Sequence, residues 1–227
     1  GQFVMGSPED EQDRNNDEGP QTVVTLNRGF YMSRYEVTQA EYEAVMGSHL
    51  SGFAGDPNRP VEMVKWQDAT NYCGKLTVQE RLAGRLPAGW EYRLPTEAQW
   101  EYACRAGTTN RFGFGDDPEY THIGDYAWYT DNSKNTTHAV GSKLPNRWGL
   151  YDMHGNVWEW CADWYTDSHP GGSVTNPPGP ASGQDLVARG GSWYFNGPYC
   201  RSACRGRYNP GSHNNDLGFR VALVAVP

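Results

Sequence analysis

Three features of this 227-residue chain predict a loop-rich fold, either irregular all-β or α+β, in one domain. Helical periodicity is confined to three short segments before residue 108. Beyond that point only brief apolar runs stand among Gly, Asn, Pro and Trp. The composition, with 9 Trp, 14 Tyr, 27 Gly and 15 Pro, suits a compact unit fastened by buried aromatic rings and not a disordered chain.

The elements follow from local chemistry. The opening residues Gly1-Gln2-Phe3-Val4-Met5-Gly6 read as a strand, and residues 7–20, acidic and polar, read as a surface loop. Alternating apolar positions at Val23, Thr25 and Leu26, then Phe30, Met32, Tyr35 and Val37, predict one or two further strands. Thr38 and Glu41 form a capping box, opening a helix that Gly47 stops. Residues 51–60 form a Gly/Pro loop. Ala69, Tyr72, Cys73 and Leu76 recur at helical spacing, which predicts a second helix from Trp66 to about Leu82. Thr96 caps a third, short helix with Trp100, Ala103 and Cys104 facing inward and Gly107 at its end. Residues 166–184 are a long Pro/Gly loop, and the apolar run Phe219 to Val226 is a core strand pairing back to the N-terminal ones. No repeat and no linker divides the chain, so residues 1–227 are expected to form one domain.

Charge excludes some functions. The net charge is −8, with no basic run, which argues against nucleic acid or an anionic membrane as partner. No apolar run approaches the roughly 20 residues that span a bilayer. The expectation is an exported protein, periplasmic, cell-surface or secreted, whose signal is not in this sequence. The five cysteines, at positions 73, 104, 161, 200 and 204, have no zinc-ribbon spacing and allow one or two disulfides plus a leftover thiol, or buried free thiols.

The most informative stretch is Gly149-Leu150-Tyr151-Asp152-Met153-His154-Gly155-Asn156-Val157-Trp158-Glu159-Trp160. Neither helix nor strand periodicity explains it. Polar groups held among tryptophans must be hydrogen-bonded or ligate a cation, because leaving them bare costs several kcal/mol. A rigid loop with a fixed polar centre is therefore expected.

Several blocks, in order along nearly the whole chain, carry a resemblance. They are Phe3-Val4-Met5-Gly6, Tyr35-Glu36-Val37-Thr38, Pro60-Val61 with Val64 and Trp66, and Arg93-Leu94-Pro95-Thr96-Glu97-Ala98 with Trp100-Glu101-Tyr102. The stretch 149–160 follows, then Arg189-Gly190-Gly191-Ser192-Trp193 and Leu217-Gly218-Phe219-Arg220. The set resembles the formylglycine-generating enzyme / sulfatase-modifying-factor family. It implies an α+β, C-type-lectin-like fold, loop-rich, with few short helices and mixed antiparallel strands. That family includes copper-dependent oxidases that convert a sulfatase cysteine to formylglycine, sulfoxide synthases, non-catalytic paralogues and the variable proteins of diversity-generating retroelements.

The resemblance lets each reading be tested. The oxidase holds Cu(I) between two cysteines after Gly-Gly-Ser, as soft sulfur suits that ion. The second falls on Cys200, but the first falls on Phe195, whose ring cannot ligate copper. Copper is therefore not expected. Cys200, Ser192, Trp158 and Arg207 retain the family pocket and would be the catalytic set of an oxidase acting on a cysteine or thiol substrate. A sulfoxide synthase needs a three-histidine iron site, whereas the six histidines here (49, 122, 138, 154, 169 and 213) are scattered. The family pattern further implies a Cys104–Cys204 disulfide, worth roughly 4–5 kcal/mol in the chain-entropy model. The partner position of Cys73 is Val221, and Cys161 reads as a buried thiol. For a structural calcium the resemblance offers Asp152 and Glu159 as side-chain ligands, with carbonyls of Gly155 and Val157, a hard-oxygen set that suits the ion.

Residues 194–216 interleave Tyr, Phe, Asn, Gly, Cys, Ser, His and Asp with Pro, Arg and Ala. Each of the first group has a codon one or two adenine changes from an Asn codon, the spectrum of adenine-directed mutagenesis in the retroelement variable proteins. The palette matches antibody paratopes, rings for contact area and small polar groups for adaptable hydrogen bonds. The ligand-facing candidates are Tyr194, Phe195, Asn196, Tyr199, Tyr208, Asn209, His213 and Asn214. The expectation is a binding or interaction module for a protein, peptide or glycan, with the oxidase as the competing reading.

Overall fold

The computed structural model describes residues 1–226. Ten short strands form three small sheets, and four helices lie around them. β1 (Gln2–Met5) pairs antiparallel with β2 (Thr22–Thr25). β3 (Phe30–Met32) leads to α1 (Gln39–Met46), α2 (Trp66–Leu82), β4 (Trp90–Arg93) and α3 (Glu97–Arg105). A single turn, α4 (Ile123–Tyr126), is the last α-helix. Then follow β5 (Trp158–Trp164), β6 (Ser173–Thr175), β7 (Leu186–Arg189), β8 (Arg205–Tyr208), β9 (Leu217–Gly218) and β10 (Ala222–Ala225).

The local signals acted as read. Thr38 Oγ1 accepts the Glu41 N–H while Glu41 accepts the Thr38 N–H, and Gly47 closes α1 at φ 73°. Thr96 caps α3 in the same way through Gln99. The end of α3 differs by one residue: Ala106 already takes the left-handed conformation, φ 47°, before Gly107.

Tertiary pairing overrode the reading in three places. The acidic segment 7–20 is not simply a surface loop, because Glu18 is fully buried on Arg201 and Ser7. The loop 166–184 contains β6, which adds to β2 in parallel. The final strand does pair back to an N-terminal one, β3, and β4 joins its other side, so it fills the middle of that sheet. Within 149–160, the last three residues leave the loop and begin β5, the inner strand of the sheet β8-β7-β5-β9.

Burial of β5 explains its sequence. Trp158 and Trp160 enter the main core with Tyr42, Tyr72, Leu94, Leu186 and Phe219. Glu159 points to the opposite face and meets Arg220 and Trp100. Tyr42 and Tyr72 stack nearly parallel, 5.7 Å apart, and fasten α1 to α2.

A chain of buried ion pairs binds the loops to this frame. Glu101 of α3 accepts from Arg105 and from the Gly6 amide, each at 2.8 Å, and also from Arg189 of β7. Glu97 is held by Arg205 of β8 at 2.7 Å and lies 3.5 Å from Arg189. Burial alone would raise the Glu97 carboxyl, but Arg205 and Arg189 together hold it down at about 2. Removing one partner of such a set strands a charge in a dry interior. Glu101→Gln should therefore lower the unfolding free energy by about 3–5 kcal/mol in urea denaturation, and Arg189→Met added to it should restore part of the loss.

Asp163, at the end of β5, caps the start of α3 by accepting the Glu97 N–H at 2.7 Å. Burial, reinforced by the Glu97 charge, pushes its carboxyl up to about 7. The folded state prefers the protonated acid, so this group's contribution to stability is complete below its unfolded value of about 4 and is lost as pH rises through about 7. Asp163→Asn retains an acceptor for the amide. It should flatten stability against pH across that window, an amplitude of up to ~4 kcal/mol, read from urea melts at successive pH values.

Candidate functional site

Two adjoining structures make up the site: the polar knot of 149–157 and the aromatic surface after Gly190-Gly191-Ser192-Trp193. Left-handed residues shape the knot, with Gly149, Asp152 and Asn156 at φ 78°, 58° and 65°. At Gly155 a Cβ would fall 2.3 Å from the Trp128 carbonyl oxygen, so no side chain fits there. Asn156 is the hub. Its Oδ1 accepts the His138 N–H at 3.0 Å, its Nδ2 donates to Glu36 at 2.6 Å, and its backbone joins Trp128 to Trp193.

Three carboxyl groups face one guanidinium here. Glu159 accepts from Arg220 Nε at 2.6 Å and Nη2 at 2.7 Å, and from Trp100 Nε1 at 2.7 Å. Glu36 accepts from Asn156 and from the Val157 N–H. Asp152 Oδ2 accepts the Gly141 N–H at 2.7 Å, while its Oδ1 is buried with no partner among the described residues. Burial raises the Glu36 carboxyl well above the usual range, reinforced by the charges of Asp152 and Glu159. Burial likewise brings Asp152 to about 6.

This geometry revises the expected calcium set. Asp152 fits a hard cation, because it has a free buried oxygen. Glu159 already accepts three hydrogen bonds from Arg220 and Trp100, so a cation there would compete with the guanidinium. Among the described residues no group of three or more His, Cys, Asp or Glu side chains is arranged to hold a metal. Glu36 and Arg220 sat inside recognised blocks, yet only the fold shows that they meet at this centre.

Around the second structure, Ser192 donates to Asp216 at 3.0 Å, and the Trp158 N–H donates to the Asp216 carbonyl. Asp216 was not singled out from the sequence, since its polar neighbours in 211–216 gave no reason to prefer it. Phe195 lies edge-on to Trp158 at 5.6 Å, to Tyr199 at 5.0 Å and to Tyr194 at 5.7 Å. Tyr194 and Tyr199 are 63% and 42% exposed. Asn196, Asn209, His213 and Asn214 are also exposed, and Phe195 and Tyr208 are half-buried. All eight ligand-facing candidates thus reach the surface.

Cys200 lies beneath, packed among Phe112, Ile123, Ala127 and Tyr129. A Cβ at Gly191 would come within 2.7 Å of its sulfur. Burial, with Cys204 nearby, pushes the Cys200 thiol far up, so it is a neutral SH. The Cys200 carbonyl accepts from His154 Nδ1 at 2.8 Å, while His154 Nε2 accepts the Gly113 N–H at 3.0 Å. Burial lowers His154 to about 4 and keeps it neutral.

Arg207 departs from the expected pocket. On β8 it is exposed, 3.3 Å from Asp167 and over the Tyr165 ring. Its neighbours Gly206 and Tyr208 face Trp158 and Trp160 instead, as strand alternation requires. Cys104 and Cys204, expected to pair, are both free and buried, as are Cys73 and Cys161. The Cys104 sulfur lies 3.6 Å from Ser202 Oγ and beside His154, whereas that of Cys204 faces Asn15 at 3.9 Å. The two thiols have different neighbours, and no bridge joins them here.

The comparisons with known proteins bear on the family and the fold. Residues 1–225 match the model of the sulfatase-modifying factor enzyme 1-like domain. The formylglycine-generating enzyme of Mus musculus is 32% identical over 291 aligned positions, covering 100% of this chain and 74% of that protein. Among solved structures, Treponema denticola variable protein 1 is 33% identical, with a TM-score of 0.85 over 99% of this chain and 92% of its own. PvdO from Pseudomonas aeruginosa is 32% identical, with a TM-score of 0.81 over 99% and 91%. The family match, the relatives and the solved structures converge, and the chain belongs to the family of sulfatase-modifying factor enzyme 1-like domains.

Proposed function

We propose that this chain is a single-domain binding module of its family, exported, that grips a protein, peptide or glycan through segments 194–199 and 206–215. The observation that carries this reading is Phe195. Its ring stands where the family resemblance places the first copper-holding cysteine, wedged against Trp158 and Tyr199. The remaining cysteine of that pair, Cys200, is a buried neutral thiol. Exposed Tyr, Asn and His side chains around Phe195 supply contact area and adaptable polar groups. The likeness to a variable protein supports the same reading and motivates diversification of 194–216. Formylglycine-type oxidation of a cysteine substrate is the competing function.

Copper decides between the two. Reduced protein titrated with Cu(I) against a chromogenic chelator should show no stoichiometric site that depends on Cys200. Phe195→Cys should create one by restoring the second sulfur. Stoichiometric Cu(I) binding by the unaltered chain, lost in Cys200→Ser, would establish the oxidase instead.

Calcium enters this reading as a structural ion at Asp152, with carbonyls of Gly155 and Val157 and water completing its shell. Its support is the free Oδ1 of Asp152 in a cluster where Glu36, Asp152 and Glu159 face Arg220. An ion bound only by the folded chain raises the melting temperature, by about 5 °C at a hundredfold excess over its dissociation constant. Melts in calcium and in chelator should differ by that amount for the unaltered protein and coincide for Asp152→Asn. Coincident melts of the unaltered protein would remove the ion.

A further inference from the structure

Away from the ligand-facing segment, a groove of about 470 Å3 opens between β3, α3 and the turn at Trp148. It shares no residue with segments 194–199 and 206–215. Phe30, Tyr31, Tyr102, Trp148 and Leu150 line it, and Arg28 lines it from the β2–β3 turn. Its size lies within the range of small-molecule pockets.

The groove is built and not incidental. Trp148 is 49% exposed, yet its turn is pinned by Asn146, a buried side chain. Asn146 Oδ1 accepts the N–H groups of Trp148 and Leu150, and its Nδ2 donates to the Ala103 and Cys104 carbonyls at the end of α3. Trp148 meets Tyr102 edge-on at 5.0 Å, and Tyr102 meets Phe30 at 6.4 Å. Tyr31 is 68% exposed but braced by Trp90 at 5.7 Å. Rings held in place while facing water lose little freedom when a flat ligand stacks on them.

The charge selects the ligand. Arg28 makes no hydrogen bond or ion pair with any described residue, and no carboxylate lines the groove. Glu91 and Arg93 lie on the adjoining cleft that Arg28 also lines, and their charges offset one another there. A cationic ligand would meet Arg28 without a counter-charge. Arg28 is exposed to solvent, so an anion gains a charge-assisted pair there that a neutral sugar does not. We infer that this groove is a second binding site, for a small planar aromatic acid whose ring stacks among Phe30, Tyr102 and Trp148 and whose carboxylate pairs with Arg28.

Isothermal titration of the whole chain with 1-naphthoate tests this, with 1-naphthamide and methyl α-glucoside as the uncharged aromatic and the non-aromatic comparisons. Saturable naphthoate binding is expected. Arg28→Gln should weaken it about tenfold, the loss of one charge-assisted pair, and leave naphthamide within twofold. Trp148→Ala should weaken both aromatic ligands. Both substitutions are at exposed residues, and unchanged thermal melts would show that the fold is retained. Absent naphthoate binding, naphthoate affinity indifferent to Arg28→Gln, or equally tight glucoside binding would each overturn the assignment. None of these results bears on copper or on the segment around Phe195.

Discussion

The fold depends on matching buried guanidinium groups to buried carboxylates. Arg189, Arg201 and Arg220 are wholly enclosed, and Arg105 and Arg205 nearly so. An isolated ion in such surroundings costs several kcal/mol even after relaxation. Each arginine must therefore find its acid before the chain can close. The acids come from distant parts of the sequence: Glu18 for Arg201, Glu97 and Glu101 for Arg189, Glu159 for Arg220. Hydrophobic burial around Trp100 and Trp160 drives the collapse, and the ion pairs decide which collapsed arrangement is allowed.

This division of labour explains how so irregular a chain keeps a defined surface. Long stretches lie outside helix and strand, held in part by backbone hydrogen bonds in their turns. Buried arginines satisfy further carbonyls: Arg220 reaches those of Ser33, Arg34 and Tyr151, and Arg205 those of Asp17 and Thr166. Buried Asn156 and Asn146 serve in the same way, each holding a loop by both ends of its amide. The rings of Tyr194, Phe195 and Tyr199 thus rest on a fixed base.

Much of this was legible in the sequence where the cause is local. Thr38 with Glu41, and Thr96 with Gln99, announce helix starts because cap and amide are three residues apart. The α2 stripe of Ala69, Tyr72, Cys73 and Leu76 likewise lies within one helix. The family blocks gave the architecture, and Phe195 gave the departure from a two-sulfur site. What could not be read was long-range. Glu18 looked like one more acid in a solvated run, and only a partner 183 residues away buries it. The parallel addition of β6 to β2 overrode a segment whose prolines and glycines signalled loop. Arg207 was misplaced because its orientation depends on which face of β8 meets Trp158. Glu159 was read as a ligand because nothing nearby reveals that Arg220 claims it.

The position of β10 also constrains how the polypeptide reaches this state. β10 lies at the centre of its sheet, between β3 and β4, both of which precede it by well over a hundred residues. In the sheet order β3 and β4 do not pair with each other, so their edges stay open until β10 has been made. Closure then joins segments far apart in sequence, the kind of topology that folds slowly and presents adhesive edges meanwhile. Nascent chains stalled short of Ala222 would carry an open slot, a natural foothold for chaperones or for the corresponding strand of a neighbouring copy.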